Sequence, residues 1–262
     1  MDLNVKAIEI RNLSKVYRRA QSSSNGEIRA LSDVTLDIKE GEFVTIFGPN
    51  GCGKTTLLLC VAGVEEPSNG TILVNGRPPS EALTGFVFQN YREALLPWRS
   101  CLSNIAFPLE IAGWSTKERH EKARALVSRL NLNIDLDSYP YQQSGGQQQL
   151  VAIARALVSE PDVLVLDEPL SALDMNARFR MRTIIESLWI RTKKTILHVT
   201  HDLEEAIFLA DRIIVLSNRP GKVLKEVKVT LPRPRNTMFS NSDYGVIRSK
   251  ILSTYETDGG DL

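Results

Sequence analysis

The sequence has little of several things that would place it in common classes. Three cysteines stand among 262 residues, an odd number with no Cys-x-x-Cys pair. That count speaks against a disulfide framework and fits a reducing compartment. Charge of either sign is not in excess: 32 Lys and Arg stand against 31 Asp and Glu, for a formal net charge of +1. A balance this even gives no strong field for nucleic acid or acidic lipid. No uncharged apolar run approaches the roughly 18 residues of a membrane span. The opening Met1-Asp2-Leu3-Asn4-Val5-Lys6 lacks the apolar segment of a secretory signal. The expectation is a soluble cytoplasmic chain that meets a membrane only through a partner. There is no internal repeat and no heptad run.

What is there is a globular composition, 42% hydrophobic and 24% charged, in a length that suits one large domain or two small ones. The chain is organised around Gly48-Pro49-Asn50-Gly51-Cys52-Gly53-Lys54-Thr55, which spells G-x-x-x-x-G-K-[ST]. The β-branched and aromatic run 43–47 predicts a buried strand before it, and the leucine-rich run from Thr56 to Ala62 predicts a helix after it. A helix start carries unpaired N–H groups and partial positive charge, and glycines let backbone wrap an anion. Lys54 adds a charge that reaches β- and γ-phosphates, and the Thr55 hydroxyl is a ligand for Mg²⁺. Cys52 fills a free position and needs no redox role.

Elsewhere the periodicities alternate. Residues 7–13 and 30–39 read as half-exposed strands of an antiparallel layer, joined through a polar stretch with a turn at Ser22–Gly26. Short strands are expected at 71–74 and 86–88, the second ended by Gln89. Helices are expected at 102–112 and, behind a Ser115-x-x-Glu118 capping box, to about Leu130. Strands at 163–166, 195–199 and 212–216 alternate with helices at 174–191 and 203–210. The fold class is therefore α/β, a mostly parallel sheet with an N-terminal antiparallel β layer. The stretch from about Gln89 to Tyr139 holds helices only and reads as an insertion. The segment beyond Pro232 is polar and weakly patterned.

Two more motifs complete the reading. Val163-Leu164-Val165-Leu166-Asp167-Glu168 is four apolar residues followed by two acids. In phosphate-loop proteins a carboxylate ending such a strand holds Mg²⁺, here Asp167, and the adjacent Glu168 can polarise a water for attack on the γ-phosphate. Gln143-Ser144-Gly145-Gly146-Gln147-Gln148-Gln149-Leu150 opens a helix with the apolar face Leu150, Ile153, Ala154, Leu157 and Val158. It is a second anion-binding helix start.

Taken in this order, the motifs resemble those of ATP-binding cassette (ABC) ATPases, from about Ile8 to Leu216. The resemblance implies a P-loop NTPase core at about 1–88 and 160–220, a helical subdomain at about 89–159, and a tail at about 232–262. It implies ATP and Mg²⁺ as cofactors. Tyr17 resembles the aromatic residue that stacks on adenine, although such a Tyr taken alone is more often core. Gln89 resembles the glutamine that touches Mg²⁺ and the attacking water, and His201 the switch histidine at the γ-phosphate. Ser144, Gly145, Gly146 and Gln147 would face the nucleotide of a second ATPase subunit in a head-to-tail dimer. Ser171-Ala172-Leu173-Asp174 resembles the loop that crosses that interface, and Asp174 is equally a helix N-cap. Two positions depart from the family pattern, which has Leu at Gln143 and Arg or Lys at Leu150. His198 reads as a sheet residue.

The resemblance also implies membrane-spanning permease subunits as partners, docked near Glu93-Ala94-Leu95-Leu96-Pro97-Trp98-Arg99, with core packing an equal account of Trp98. That string and Leu231-Pro232-Arg233-Pro234-Arg235 resemble the nitrate, sulfonate and taurine import group. A solute-binding protein would be an indirect partner, and nucleic acid is not expected. The alternative is a soluble ABC ATPase acting on ribosomes or DNA. Translation-type relatives carry two cassettes and chromosome-type relatives a long coiled coil, and this chain has neither. A small-molecule kinase would have no place for Ser144-Gly145-Gly146 or His201.

Overall fold

Alternating side chains build two long antiparallel strands, β1 (Lys6–Arg18) and β2 (Glu27–Lys39), and β4 (Asn69–Val74) pairs with the other edge of β1. The structure, a computed structural model, describes residues 5–18, 26–235 and 242–258. Of the expected turn at Ser22–Gly26, only Gly26 is among them. The second sheet has the order β5-β6-β7-β3-β8-β9. Its strands are β3 (Phe43–Phe47), β5 (Thr84–Val87), β6 (Val163–Asp167), β7 (Thr195–Thr200), β8 (Arg212–Leu216) and β9 (Val223–Lys228). All its pairs are parallel except β8 with β9.

β3, β6 and β7 are buried along their whole length, as a sheet covered on both faces requires. Their alternation divides two cores. Val44, Ile46, Val163, Val165, Leu197 and Val199 pack toward the antiparallel sheet with Leu57 and Leu58 of α1 (Lys54–Val61). Phe43, Phe47, Leu164, Leu166 and Ile196 pack on the opposite face against helices. Between β5 and β6 lie α2 (Tyr91–Ala94), α3 (Cys101–Ile111), α4 (Thr116–Leu130) and α5 (Gly145–Leu157), with no strand among the described residues. The capping box of α4 forms in both directions: the Glu118 N–H donates to the Ser115 hydroxyl, and the Ser115 N–H donates to the Glu118 carboxylate. α6 (Met175–Thr192) is N-capped by Asp174, and α7 (Leu203–Leu209) by Asp202.

Three expectations need correction. β5 ends at Val87, not Phe88, because Phe88 is exposed and lies against Phe86 on the surface, their ring centroids 4.4 Å apart. β9 was not foreseen: it is an antiparallel edge strand of mixed polarity with one fully buried position, Val227. The segment after Pro232, expected to be only weakly patterned, holds a regular element. It includes α8 (Ser242–Asp258), which buries Tyr244, Ile247, Ile251 and Tyr255 along one stripe. Tyr255 Oη donates to the Leu216 carbonyl at 2.9 Å, and its ring meets Phe47 edge-on.

Candidate functional site

Four adjacent parallel strands deliver the predicted site residues at their carboxyl ends, where open α/β sheets form ligand crevices. β3 runs into Gly48, β6 ends on Asp167 with Glu168 next, β7 is followed by His201, and β5 leads to Gln89. A cavity of about 480 Å³ is lined by Tyr17, Asn50, Gly51, Gly53, Lys54, Thr55, Thr56, Gln89, Glu168 and His201, together with Ile28, Ala30, Ser171 and Arg219. Residues far apart in sequence are thus brought to one place.

The glycine loop has the geometry its spelling predicts. Gly53 lies at φ +109° and N-caps α1, and a Cβ there would fall 2.6 Å from the Ala30 carbonyl oxygen. No side chain caps α1, which leaves the N–H groups of its first turn to the cavity it lines. Lys54 Nζ donates to the carbonyls of Gly48 (2.9 Å) and Pro49 (3.0 Å) and stands 3.5 Å from Glu168 Oε1. Cys52 turns its side chain into the core, so only its backbone belongs to the loop. Burial pushes its thiol pKa up, against the lowering effect of the Lys54 charge and the loop's backbone N–H groups.

The acidic pair divides by environment. Asp167 is buried and accepts from Thr55 Oγ1 at 3.1 Å. Burial raises its pKa to about 6, the Thr55 bond opposes the rise, and the charge of Glu168 adds to it. Glu168 sits at φ +41°, a left-handed conformation that a non-glycine residue rarely adopts. Its Oε2 accepts from Gln89 Nε2 at 3.3 Å and lies 3.0 Å from His201 Nδ1. His198 is, as expected, a sheet residue: it is fully buried between Thr45 Oγ1 (3.1 Å) and Glu205 Oε1 (2.9 Å). Tyr17 is half-buried on the cavity wall, its hydroxyl 3.5 Å from Thr56 Oγ1 and Lys15 Nζ 5.0 Å above its ring.

Ser144, Gly145, Gly146 and Gln147 line a different cavity, of about 360 Å³, with Ala172, Leu173 and Asp174. Ser144 caps α5 by accepting from the Gln147 N–H, and the Gln147 side chain returns to the Ser144 N–H at 3.0 Å. Both departures in this motif have local explanations. Gln143 is buried and donates to the Asp135 carbonyl and to Ser138. Leu150 extends the buried face of α5.

Residues 31–171 match the ABC transporter family. The chain belongs to that family. It is 37% identical to the aliphatic sulfonates import ATP-binding protein SsuB of Bacillus cereus, over 96% of this chain and 97% of that one. It is 38% identical to the nitrate import ATP-binding protein NrtD of Synechocystis, over 96% of this chain and 92% of the other. Among solved structures it is similar to the ATP-binding cassette MJ0796 in its dimeric post-hydrolysis state with ADP and Pi. There the TM-score is 0.72 at 33% identity, covering 86% of this chain and all of the other. The protein is an ATPase of the ABC transporter family, and it binds ATP.

The ABC frame left some of the cavity unread. Ile28, Ala30 and Arg219 line it, but nothing in their local sequence signals a ligand. Ile28 and Ala30 arrive through the register of β2 on β1, where Ile28 stands opposite Tyr17. Arg219 arrives through the β8–β9 connection, beyond the last motif of the family. Trp98 is 71% exposed, so core packing does not account for it. Among the described residues no helix is long and apolar enough to cross a membrane.

Proposed function

We propose that this chain is the ATP-hydrolysing subunit of a membrane importer, working as a pair of identical chains bound peripherally at the cytoplasmic face. The observation that carries the reading is the meeting of Lys54, Gln89, Glu168 and His201 in one cavity, in a chain whose relatives are import ATP-binding proteins. Those relatives do not favour action on ribosomes or DNA. In this reading the core at about 1–88 and 160–220 binds nucleotide. The helical subdomain at about 89–159 relays to membrane-spanning permease subunits, with exposed Trp98 at the docking face. Residues 232–262 are the C-terminal segment.

Tyr17 stacks on adenine, and backbone from Gly48 to Thr56, including Pro49, Asn50, Gly51 and Cys52, wraps the phosphates. The donor set fits Mg²⁺. Thr55 Oγ1 and Asp167 Oδ1 are hard oxygen donors 3.1 Å apart, with the Gln89 amide on the same cavity. Among the described residues no cluster of three His, Cys, Asp or Glu makes a protein-only cage. That suits an ion held by one carboxylate and the substrate's own phosphates. Mg²⁺ bound there supplies charge neutralisation at the β- and γ-phosphates. Lys54 adds its own charge. Glu168 takes the proton of the attacking water, with Oε2 oriented by Gln89 and His201. Ser144, Gly145, Gly146 and Gln147 of a second chain close the site over the γ-phosphate.

The transported solute is a small oxyanion of the sulfonate or nitrate kind, delivered by a solute-binding protein to the permease. The test is isolation of the tagged chain from gently solubilised native membranes and mass spectrometry of what accompanies it. A stoichiometric polytopic membrane protein supports the importer. Ribosomal or DNA-repair proteins with no membrane subunit would overturn it and leave the ATPase chemistry standing.

A further inference from the structure

We propose that Arg219 is a further binding residue of the nucleotide site, holding the α- and β-phosphates through its guanidinium. The inference rests on reading the cavity as the nucleotide site and extends it to the β8–β9 connection.

The connection is a turn closed by its own hydrogen bonds. Ser217 Oγ lies 2.8 Å and 3.0 Å from the carbonyls of Asn218 and Pro220 and accepts the Lys222 N–H at 3.0 Å. The Ser217 N–H donates to the Lys222 carbonyl at 2.9 Å, closing the turn. The turn is then docked on two parts of the site. The Gly221 N–H donates to the Ala30 carbonyl at 2.9 Å, and the Gly221 carbonyl accepts the Ser32 N–H at 3.0 Å. On the other side Gly221 lies against the glycine loop, so close that a Cβ on it would fall 2.3 Å from the Cys52 carbonyl oxygen. The turn therefore spans from the strand opposite Tyr17 to the backbone that wraps the phosphates.

Arg219 is carried at this span and lines the cavity. Among the described residues it has no hydrogen-bond or ion-pair partner, whereas Arg212, Arg233 and Arg235 are each held by several acceptors. The far end of the cavity already has Lys54, Gln89, Glu168 and His201 for the γ-phosphate, and Tyr17 supplies the face for the base. A planar guanidinium on the wall of the same cavity, on a turn docked against the glycine loop, suits the two inner phosphates, since its fork of donors matches phosphate oxygens bidentately. Its contact would be common to ATP and ADP, so it sets ground-state affinity and not the hydrolytic step.

The test is calorimetric titration of full-length wild type and of Arg219→Ala, Arg219→Lys and Arg219→Glu with Mg·ADP at low and high salt. Lys54→Ala serves as a control for the nucleotide site. Arg219→Ala is expected to raise Kd about threefold to tenfold, Arg219→Glu more, and Arg219→Lys least. The salt dependence of Kd should be shallower in Arg219→Ala than in wild type. Melting temperatures of the free proteins should agree, because the side chain has no partner to lose among the described residues. Wild type that binds no ADP would sink the nucleotide reading itself. Wild type that binds while Ala and Glu variants bind equally well would overturn this inference alone. A loss in Arg219→Ala that Glu does not deepen and Lys does not reduce would assign it to shape and also overturn the proposal.

Discussion

Asp167 and Glu168 are neighbours with opposite surroundings. Glu168 keeps its carboxylate in the cavity among Lys54, Gln89 and His201. Glu168→Gln preserves the size of the side chain and removes the proton acceptor. Phosphate release should fall about 100-fold or more while ATP binding persists. A phosphate-release assay beside nucleotide titration checks this, and a variant that hydrolyses normally would reassign the base. Asp167 is buried, and its carboxyl is raised from 3.8 to about 6. A carboxyl raised on folding favours the protonated chain. Its stabilisation is complete below the unfolded pKa near 4 and is lost as pH rises through about 6. Without divalent ions, wild type should lose about 3 kcal/mol relative to Asp167→Asn between about pH 4 and pH 7. Chemical denaturation across that window, with chelator present, reads the difference, and a constant gap between the two proteins would contradict it.

At the scale of elements, the body of α6 and the end of α7 are joined by a segment whose structural role is invisible locally. Arg235 is 4% exposed and donates to the carbonyls of Ile207 (2.9 Å), Phe208 (2.8 Å) and Ala210 (2.7 Å), which terminate α7. Its own N–H donates to Glu186 on α6, and Arg233 bridges Glu186 and Asp211. Burial lowers the Arg235 pKa to about 10, so it stays charged at neutral pH. Removing its guanidinium leaves the buried helix-end carbonyls short of donors, while the backbone N–H keeps its bond to Glu186, and Arg235→Ala should cost about 2–4 kcal/mol in urea unfolding. A loss under about 0.5 kcal/mol would show that water replaces these bonds. The contrast explains what could be read from the chain. The glycine loop, the Ser115 capping box and the run into Asp167 are contiguous, so local physics displays them. The Glu168 carboxylate meets partners 79 and 33 residues away, at Gln89 and His201. Only the order of family motifs made that triad legible. Arg235, Arg219 and β9 depend on long-range contacts with no local period, and they were not legible; the buried stripe of α8 has a helical period but is diluted by polar residues.

The whole molecule presents, among the described residues, two cavities that share no lining residue. Lys54 and Glu168 line one cavity, and Ser144–Gln147 line the other. The loop between β6 and α6 runs from one to the other: Ser171 borders the first, and Ala172, Leu173 and Asp174 the second. Arg178 ties that loop to the stretch after β7, bonding the Leu173 carbonyl at 3.5 Å and Asp202 at 3.2 Å, one residue beyond His201. In the proposed pair of chains the glycine helix start faces the nucleotide of the second copy, and ATP is then the adhesive between chains. Glu168→Gln with ATP should therefore sediment as a dimer, and without nucleotide as a monomer. Gly146 offers a way to separate docking from binding. A Cβ there meets only Met181 Cε, at 3.9 Å, and an acid in the first turn suits the helix dipole, so Gly146→Asp should fold. Its carboxylate would oppose a partner's γ-phosphate. In the Glu168→Gln background it should weaken ATP-dependent dimerisation at least about tenfold and leave ATP affinity per chain unchanged. Sedimentation velocity with bound-nucleotide analysis distinguishes the outcomes. A double variant that still dimerises as tightly would place the interface elsewhere, and loss of ATP binding along with the dimer would mean that α5 contributes to nucleotide binding within its own chain.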